Sequence, residues 1–178
     1  IKNKLTHHQP LLLNILQKQL KSCPMKKIGA LVIIERESPL EEYMSNGVPI
    51  NGELNSELLS SLFWPGSPTH DGAVILKGSN IRSAGSFLPL TQTKMLDRRL
   101  GSRHRAAIGI SEITDCFVIV ISEEDGVISI VEEGKMTRFI SRQALETRLF
   151  SMFQESTPSS SVQFIDLINN IGRFFKFK

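Results

Sequence analysis

Read along the chain, apolar and polar positions fall into short runs of two kinds. The run IGALVIIERE (Ile28 to Glu37) is apolar until its charged end, the pattern of a strand covered on both faces. NSELLSSLFW reads as a helix, with Asn55 as its N-cap and Pro65 beyond its end. DGAVILKG and NIRSAGSFLPL are two strands joined at the turn residues Gly78, Ser79 and Asn80. DRRLGSRHRAAIGISEI reads as a helix, with a loop-to-helix start at Gly101 as the alternative. CFVIVISEEDGVISIVEEGKMTRFI reads as two strands around the Asp125–Gly126 turn, and a helix follows from about Arg142 to Phe153.

Two further stripes lie outside this block. Leu12, Ile15, Leu16, Gln19 and Leu20 recur at helical spacing after Pro10, and Ile165, Ile168, Ile171 and Phe175 do so near the end. ESTPSSS between the block and the second stripe is a linker by composition. The expected organisation is an amphipathic regulatory or assembly helix at 1–25, one catalytic domain at 26–155, and a linker with a C-terminal amphipathic helix at 156–178. The expected fold class is α/β: a mixed, largely buried β-sheet flanked by helices. Hairpins interrupt the helix–strand alternation, which excludes a plain doubly wound arrangement.

Composition narrows this picture slightly. The 178 residues are 40% hydrophobic and 22% charged, which is ordinary for a globular chain, with a net charge of +3. That charge suits an anionic ligand. With one Trp, one Tyr and arginines concentrated at one point, no nucleic acid is expected as a partner. Two cysteines make no disulfide framework, and a cytoplasmic, reducing setting is expected. No apolar stretch is long enough to be read as a membrane span, although residues can be missing before Ile1.

Three clusters could carry chemistry. In RRLGSRHR, Arg98, Arg99, Arg103 and Arg105 crowd around His104 at a helix start. Such a run is commonly a solvated face. Cations are electrostatically misplaced at a helix N-terminus, however, and a bound phosphate resolves the conflict. Backbone N–H groups, Ser102 and forked guanidiniums would then form a polyphosphate cradle. Asp71 stands between His70 and Gly72 at the mouth of a strand. It is either an ordinary Asp-Gly turn or a carboxylate for a divalent metal or a proton. His70 by itself reads as a structural histidine. Ser122, Glu123 and Glu124 end an apolar strand, either as a polar approach to the next turn or at a strand's carboxyl end, where α/β sheets place ligands.

Taken in order, HDGAVI, FLPLT, LGSRHRAAIGISE and IVISEEDGVISI closely resemble the bacterial diadenylate cyclase (cyclic di-AMP synthase) domain from about Ile28 to Leu149. The resemblance implies condensation of two ATP into cyclic di-AMP and two pyrophosphates across a face-to-face pair of subunits. It implies Asp71, Arg103 and His104 as catalytic residues. Gly72, Ala73, Leu88, Ser102, Arg103, His104, Arg105, Ser122 and Glu123 would contact ATP, with Leu88 against adenine. A divalent metal, Mn2+ or Mg2+, would be held by Asp71, His70 and Glu124. A homo-oligomer would be required for activity. The family commonly carries threonine where Ser102 stands, which keeps the hydroxyl. The flanking segments look more like the soluble, spore-associated branch than the DNA-scanning or membrane-anchored members. The alternative is a catalytically silent adenine-nucleotide-sensing module of the same fold.

Overall fold

The computed structural model describes residues 28–93 and 100–156. The expected helices at 1–25 and after Pro158, and Arg98 and Arg99, lie outside the described residues. Seven strands form one sheet: β1 (Ala30–Ile34), β2 (Val48–Glu53), β3 (Ala73–Lys77), β4 (Asn80–Ser86), β5 (Phe117–Ile121), β6 (Ile128–Glu132) and β7 (Lys135–Thr137). Among the described residues, four helices accompany them: α1 (Glu41–Met44), α2 (Ser56–Leu62), α3 (Ser102–Ile113) and α4 (Arg142–Ser156). The spatial order is β2-β4-β3-β1-β5-β6-β7. Only β1 and β3 pair in parallel, and every other neighbour is antiparallel.

The uninterrupted apolar runs follow from this order. β1 is central and all five of its residues are buried. Its alternate side chains feed opposite faces, because successive side chains of a strand point to opposite sides. Ala30, Val32 and Ile34 join a core that includes Leu59 and Leu62 of α2 and Leu145, Leu149 and Met152 of α4. Leu31 and Ile33 join a second core with Ala106, Ala107 and Ile110 of α3. Each fully buried Val, Leu or Ile contributes about 1.5–3 kcal/mol relative to exposure, so this strand anchors both layers.

Local signals set the ends. The Asn55 side chain accepts from the Leu58 N–H at 2.8 Å, the expected N-cap of α2. α4 continues to Ser156, taking in the first two residues of the compositional linker. The segment read as two strands contains three, because Glu133 and Gly134, both at positive φ, turn β6 into β7. At the other edge β2, mostly exposed, was not legible as a strand. Its Pro49 and Gly52 are depleted in strands, and its register slips between them. The segment after β4 presses onto α3: a Cβ on Gly109 would collide with the Pro89 carbonyl and would lie 2.7 Å from the Thr91 nitrogen. That contact holds the FLPLT segment beside the start of α3, where the Thr91 N–H donates to the Arg105 carbonyl at 3.1 Å.

Candidate functional site

Sheet topology brings the sequence-separated motifs together. The β1–β3 register runs Val32↔Val74, and the β1–β5 register runs Ala30↔Ile121. Continued outward, these registers lay Gly29 alongside both Asp71 and Ser122. The site therefore gathers where the N-terminal ends of β1 and β3 meet the C-terminal end of β5. The rule that ligands sit at carboxyl ends of strands holds here for β5 alone. It comes from all-parallel sheets, and β5 runs antiparallel to β1.

The Asp71 loop is pinned from below. Thr69 Oγ1 donates to the Leu62 carbonyl at 2.9 Å, and the His70 N–H donates to the Ser67 carbonyl at 3.2 Å. Gly72 has φ +114°, and a Cβ there would lie 2.6 Å from the carbonyl carbon of Gly85. Two backbones thus meet where no side chain fits. The result presents Asp71, exposed, at the mouth of β3, with Ala73 fully buried behind it.

Across from Asp71, α3 begins at Gly101, which caps without a side chain, and the first turn holds no acidic residue. Its leading N–H groups are therefore not claimed by a capping side chain. Arg103 turns back toward the Asp71 loop. Its Nη2 donates to the His70 carbonyl at 3.1 Å, its Nη1 donates to Glu123 Oε2 at 2.7 Å, and its Nε is buried with no partner. A small cavity of about 50 Å3 lies between Gly101–His104 on one side and Ile121–Glu124 on the other. His104 is buried, with Nε2 unpartnered. Burial, and then the nearby Arg138 guanidinium, hold its pKa below the ordinary 6.5, against the opposing pull of Asp125 and Glu124. A neutral imidazole and an orphaned guanidinium N–H beside an uncapped helix start form an anion-binding arrangement.

Other expected residues fall around this centre. Ser122 is buried, and its hydroxyl accepts from the Glu124 and Asp125 N–H groups, both at 3.3 Å, shaping the turn that carries Glu123. Ser102 and Arg105 are exposed on the first turn of α3. Leu88 is half-buried against the α3-side core. Among the described residues, no three His, Cys, Asp or Glu side chains converge into a metal-binding group, so Asp71, His70 and Glu124 are not assembled as one set. The physical reason is their placement: Glu124 lies on the cavity wall formed by the β5–β6 turn, while His70 and Asp71 lie in the loop before β3.

Three contributors escaped the sequence reading. Gly29 is the floor under Arg103, since a Cβ on it would lie 2.8 Å from Nη1. Gly85 backs Gly72. Arg138 reaches Asp125 at 3.6 Å and helps keep His104 neutral. Only Gly29, a glycine opening an otherwise large apolar run, left a signal that could have been followed.

The sequence and the fold have counterparts among known proteins. Residues 17–136 match the family described as DAC, DisA bacterial checkpoint controller nucleotide-binding. Cyclic di-AMP synthase CdaA of Bacillus subtilis is 42% identical over 136 residues, covering 76% of this chain and 50% of that protein. Cyclic di-AMP synthase CdaS of the same organism is 44% identical over 126 residues, covering 71% of this chain and 60% of that protein. A crystal structure of a cysteine double mutant of DacA from Staphylococcus aureus superimposes with a TM-score of 0.70 at 38% identity, covering 80% of this chain and 95% of that one. The chain spans about half the length of CdaA and of the Listeria monocytogenes diadenylate cyclase that it also matches. With 120 of its residues inside the family match and the mixed sheet shared with DacA, this chain belongs to the DAC nucleotide-binding family.

Proposed function

We propose that this chain is a diadenylate cyclase that joins two ATP into cyclic di-AMP and releases two pyrophosphates. One observation carries the reading: Arg103 is anchored on the carbonyl of His70, so an open helix start and its guanidinium lie beside the loop that carries Asp71. Relatives named cyclic di-AMP synthase support it.

The chemistry follows from charge and stoichiometry. The 3′-hydroxyl of one ATP attacks the α-phosphorus of the other. The bond from that phosphorus to the bridging oxygen of the leaving group breaks, pyrophosphate departs, and the hydroxyl proton is lost. Repeating the step in the opposite sense closes the ring. One chain supplies one such site, so two copies facing each other supply both. The α3 start, Ser102, Arg103 and neutral His104 would hold phosphate oxygens and offset charge on the leaving group. Arginine cannot take the proton, which leaves Asp71 as acceptor or as holder of a cation that acidifies the hydroxyl.

The family is generally metal-dependent, and the residues present fit a divalent cation. The Nδ1 of His70 bonds the Ser67 carbonyl. A carbonyl only accepts, so Nδ1 carries the proton, and in the neutral ring Nε2 keeps its lone pair for a metal. Asp71 adds an exposed carboxylate. Substrate phosphate oxygens would complete the coordination, as they do for Mg2+ at many nucleotide sites. Bound there, the cation would supply charge neutralisation on the phosphates.

Incubating the purified chain with ATP and either Mn2+ or Mg2+, followed by mass spectrometry, tests the proposal. Cyclic di-AMP is the expected product. ATP bound but returned unchanged under both metals would replace the reading with a silent nucleotide sensor.

A further inference from the structure

The ion pair between Arg103 and Glu123 spans the cavity. Arg103 comes from the α3 wall and Glu123 from the β5 wall, and their 2.7 Å contact ties the two together. The two partners are not equivalent. The Arg103 side chain is only 17% exposed and is fixed by the His70 carbonyl, whereas that of Glu123 is 61% exposed. Beneath them lies Gly29, whose missing Cβ would stand 2.8 Å from Nη1 and 2.9 Å from the Glu123 Cβ. The pair therefore rests directly on the backbone where β1 begins. Both side chains line the cavity between Gly101–His104 and Ile121–Glu124, so a phosphate chain entering it meets the pair.

We propose that Glu123 is a positioning residue that occupies the Nη1 edge of Arg103 until a polyphosphate displaces it, so that nucleotide binding and opening of this pair are one event. The proposal rests on the phosphate-binding reading of Arg103. A carboxylate and a phosphate chain cannot share one guanidinium edge without strong like-charge repulsion at contact distance. The buried, anchored partner stays, and the exposed partner moves. Glu123 thus acts through Arg103: it keeps the guanidinium pointed at the cavity in the empty state and sets the affinity against which every anion must compete. The buried Nε–H, which has no partner in the closed state, gains an acceptor when phosphate arrives.

The test is calorimetric titration of the 178-residue chain with inorganic tripolyphosphate in EDTA, so that no cation bridges anion and carboxylate. Glu123→Gln should bind about threefold to fivefold more tightly than wild type, the range that corresponds to losing a partly exposed competing ion pair. In an Arg103→Ala background the same substitution should gain clearly less. Unchanged or weaker binding by Glu123→Gln overturns the proposal and makes the carboxylate a strut. An equal gain with and without Arg103 also overturns it, because the effect is then general repulsion. If wild type and Arg103→Ala bind tripolyphosphate equally, or neither binds it, the phosphate-binding reading fails and takes this one with it.

Discussion

Replacing Gly72 by alanine should be the most damaging one-carbon change at the site, and the structure fixes why. At φ +114° the backbone lies in a region that is nearly reserved for glycine, and holding another residue there costs about 1–3 kcal/mol. The new Cβ would also stand 2.6 Å from the carbonyl carbon and 2.9 Å from the Cα of Gly85. Those atoms are backbone in β4, so relief requires moving β3 against β4, an overpacking cost of about 1–3 kcal/mol. Gly78→Ala is the control. It also has positive φ, +58°, but nothing lies within 4 Å of its Cβ, so it carries only the left-handed penalty of about 1–2 kcal/mol. Urea denaturation of both variants should place Gly72→Ala below Gly78→Ala by roughly 2 kcal/mol, with an unchanged m-value. In a thermal scan the same gap is about 4–8 °C for a chain of this size. Equal destabilisation by the two substitutions would refute the claim that Gly72 is required by its contact with Gly85.

Other consequences follow from the same site. Asp71→Asn should fold like wild type, because Asp71 is exposed, yet should lose cyclic di-AMP synthesis by at least about a hundredfold in a mass-spectrometric assay, the usual scale for removing a positioned acid–base group. Arg103→Ala should weaken both ATP binding and turnover, since the proposed guanidinium–phosphate contact would already be made in the ground state; unchanged binding and turnover would remove it from the site. His104, whose folded pKa is depressed by burial and by Arg138, takes up protons more readily in the unfolded chain. Its contribution to stability is therefore full above about pH 6.5 and falls as pH drops toward the lower folded value, a slope that His104→Gln should flatten in urea titrations between about pH 7.5 and 5.5.

How much of this was legible in the sequence depends on how local each cause is. β1, β3 and β5 announce themselves because full burial on both faces demands unbroken apolar runs, and α2 does so through Asn55. β7 and β2 were missed for opposite reasons. β7 is only three residues beyond a tight turn, and β2 is an exposed edge strand carrying Pro49 and Gly52. The motifs of the site could be named individually, but their union could not be derived from spacing. Asp71 and Arg103 are 32 positions apart, and Arg103 reaches the Asp71 loop through a tertiary contact with the His70 carbonyl. Arg138 gave no signal at all, since its role depends on a tertiary contact with the Asp125 turn. Glu123, expected to contact ATP, pairs here with Arg103, a contact that depends on the fold and that spacing could not show.

The intimacy of Asp71 and Arg103 within one chain sharpens the question of how two chains divide the reaction. Arg103 is bonded to the residue preceding Asp71, so both groups would touch the same bound ATP. Suppose Asp71 activates the 3′-hydroxyl of that ATP while Arg103 stabilises its α-phosphate. Each new bond then draws Asp71 from one subunit and Arg103 from the other. Pairing an Asp71→Asn subunit with an Arg103→Ala subunit, at ATP high enough to fill both, leaves one bond with both groups intact and the other with neither. The expected product is a linear, singly joined dinucleotide that cannot close. If Asp71 instead serves the phosphate under attack in its own subunit, each bond lacks one group, and the mixture yields no more product than the separate mutants. Mass spectrometry of mixed, re-equilibrated oligomers separates the two arrangements. Substantial cyclic product from the mixed pair would contradict both, because ring closure requires two competent half-sites.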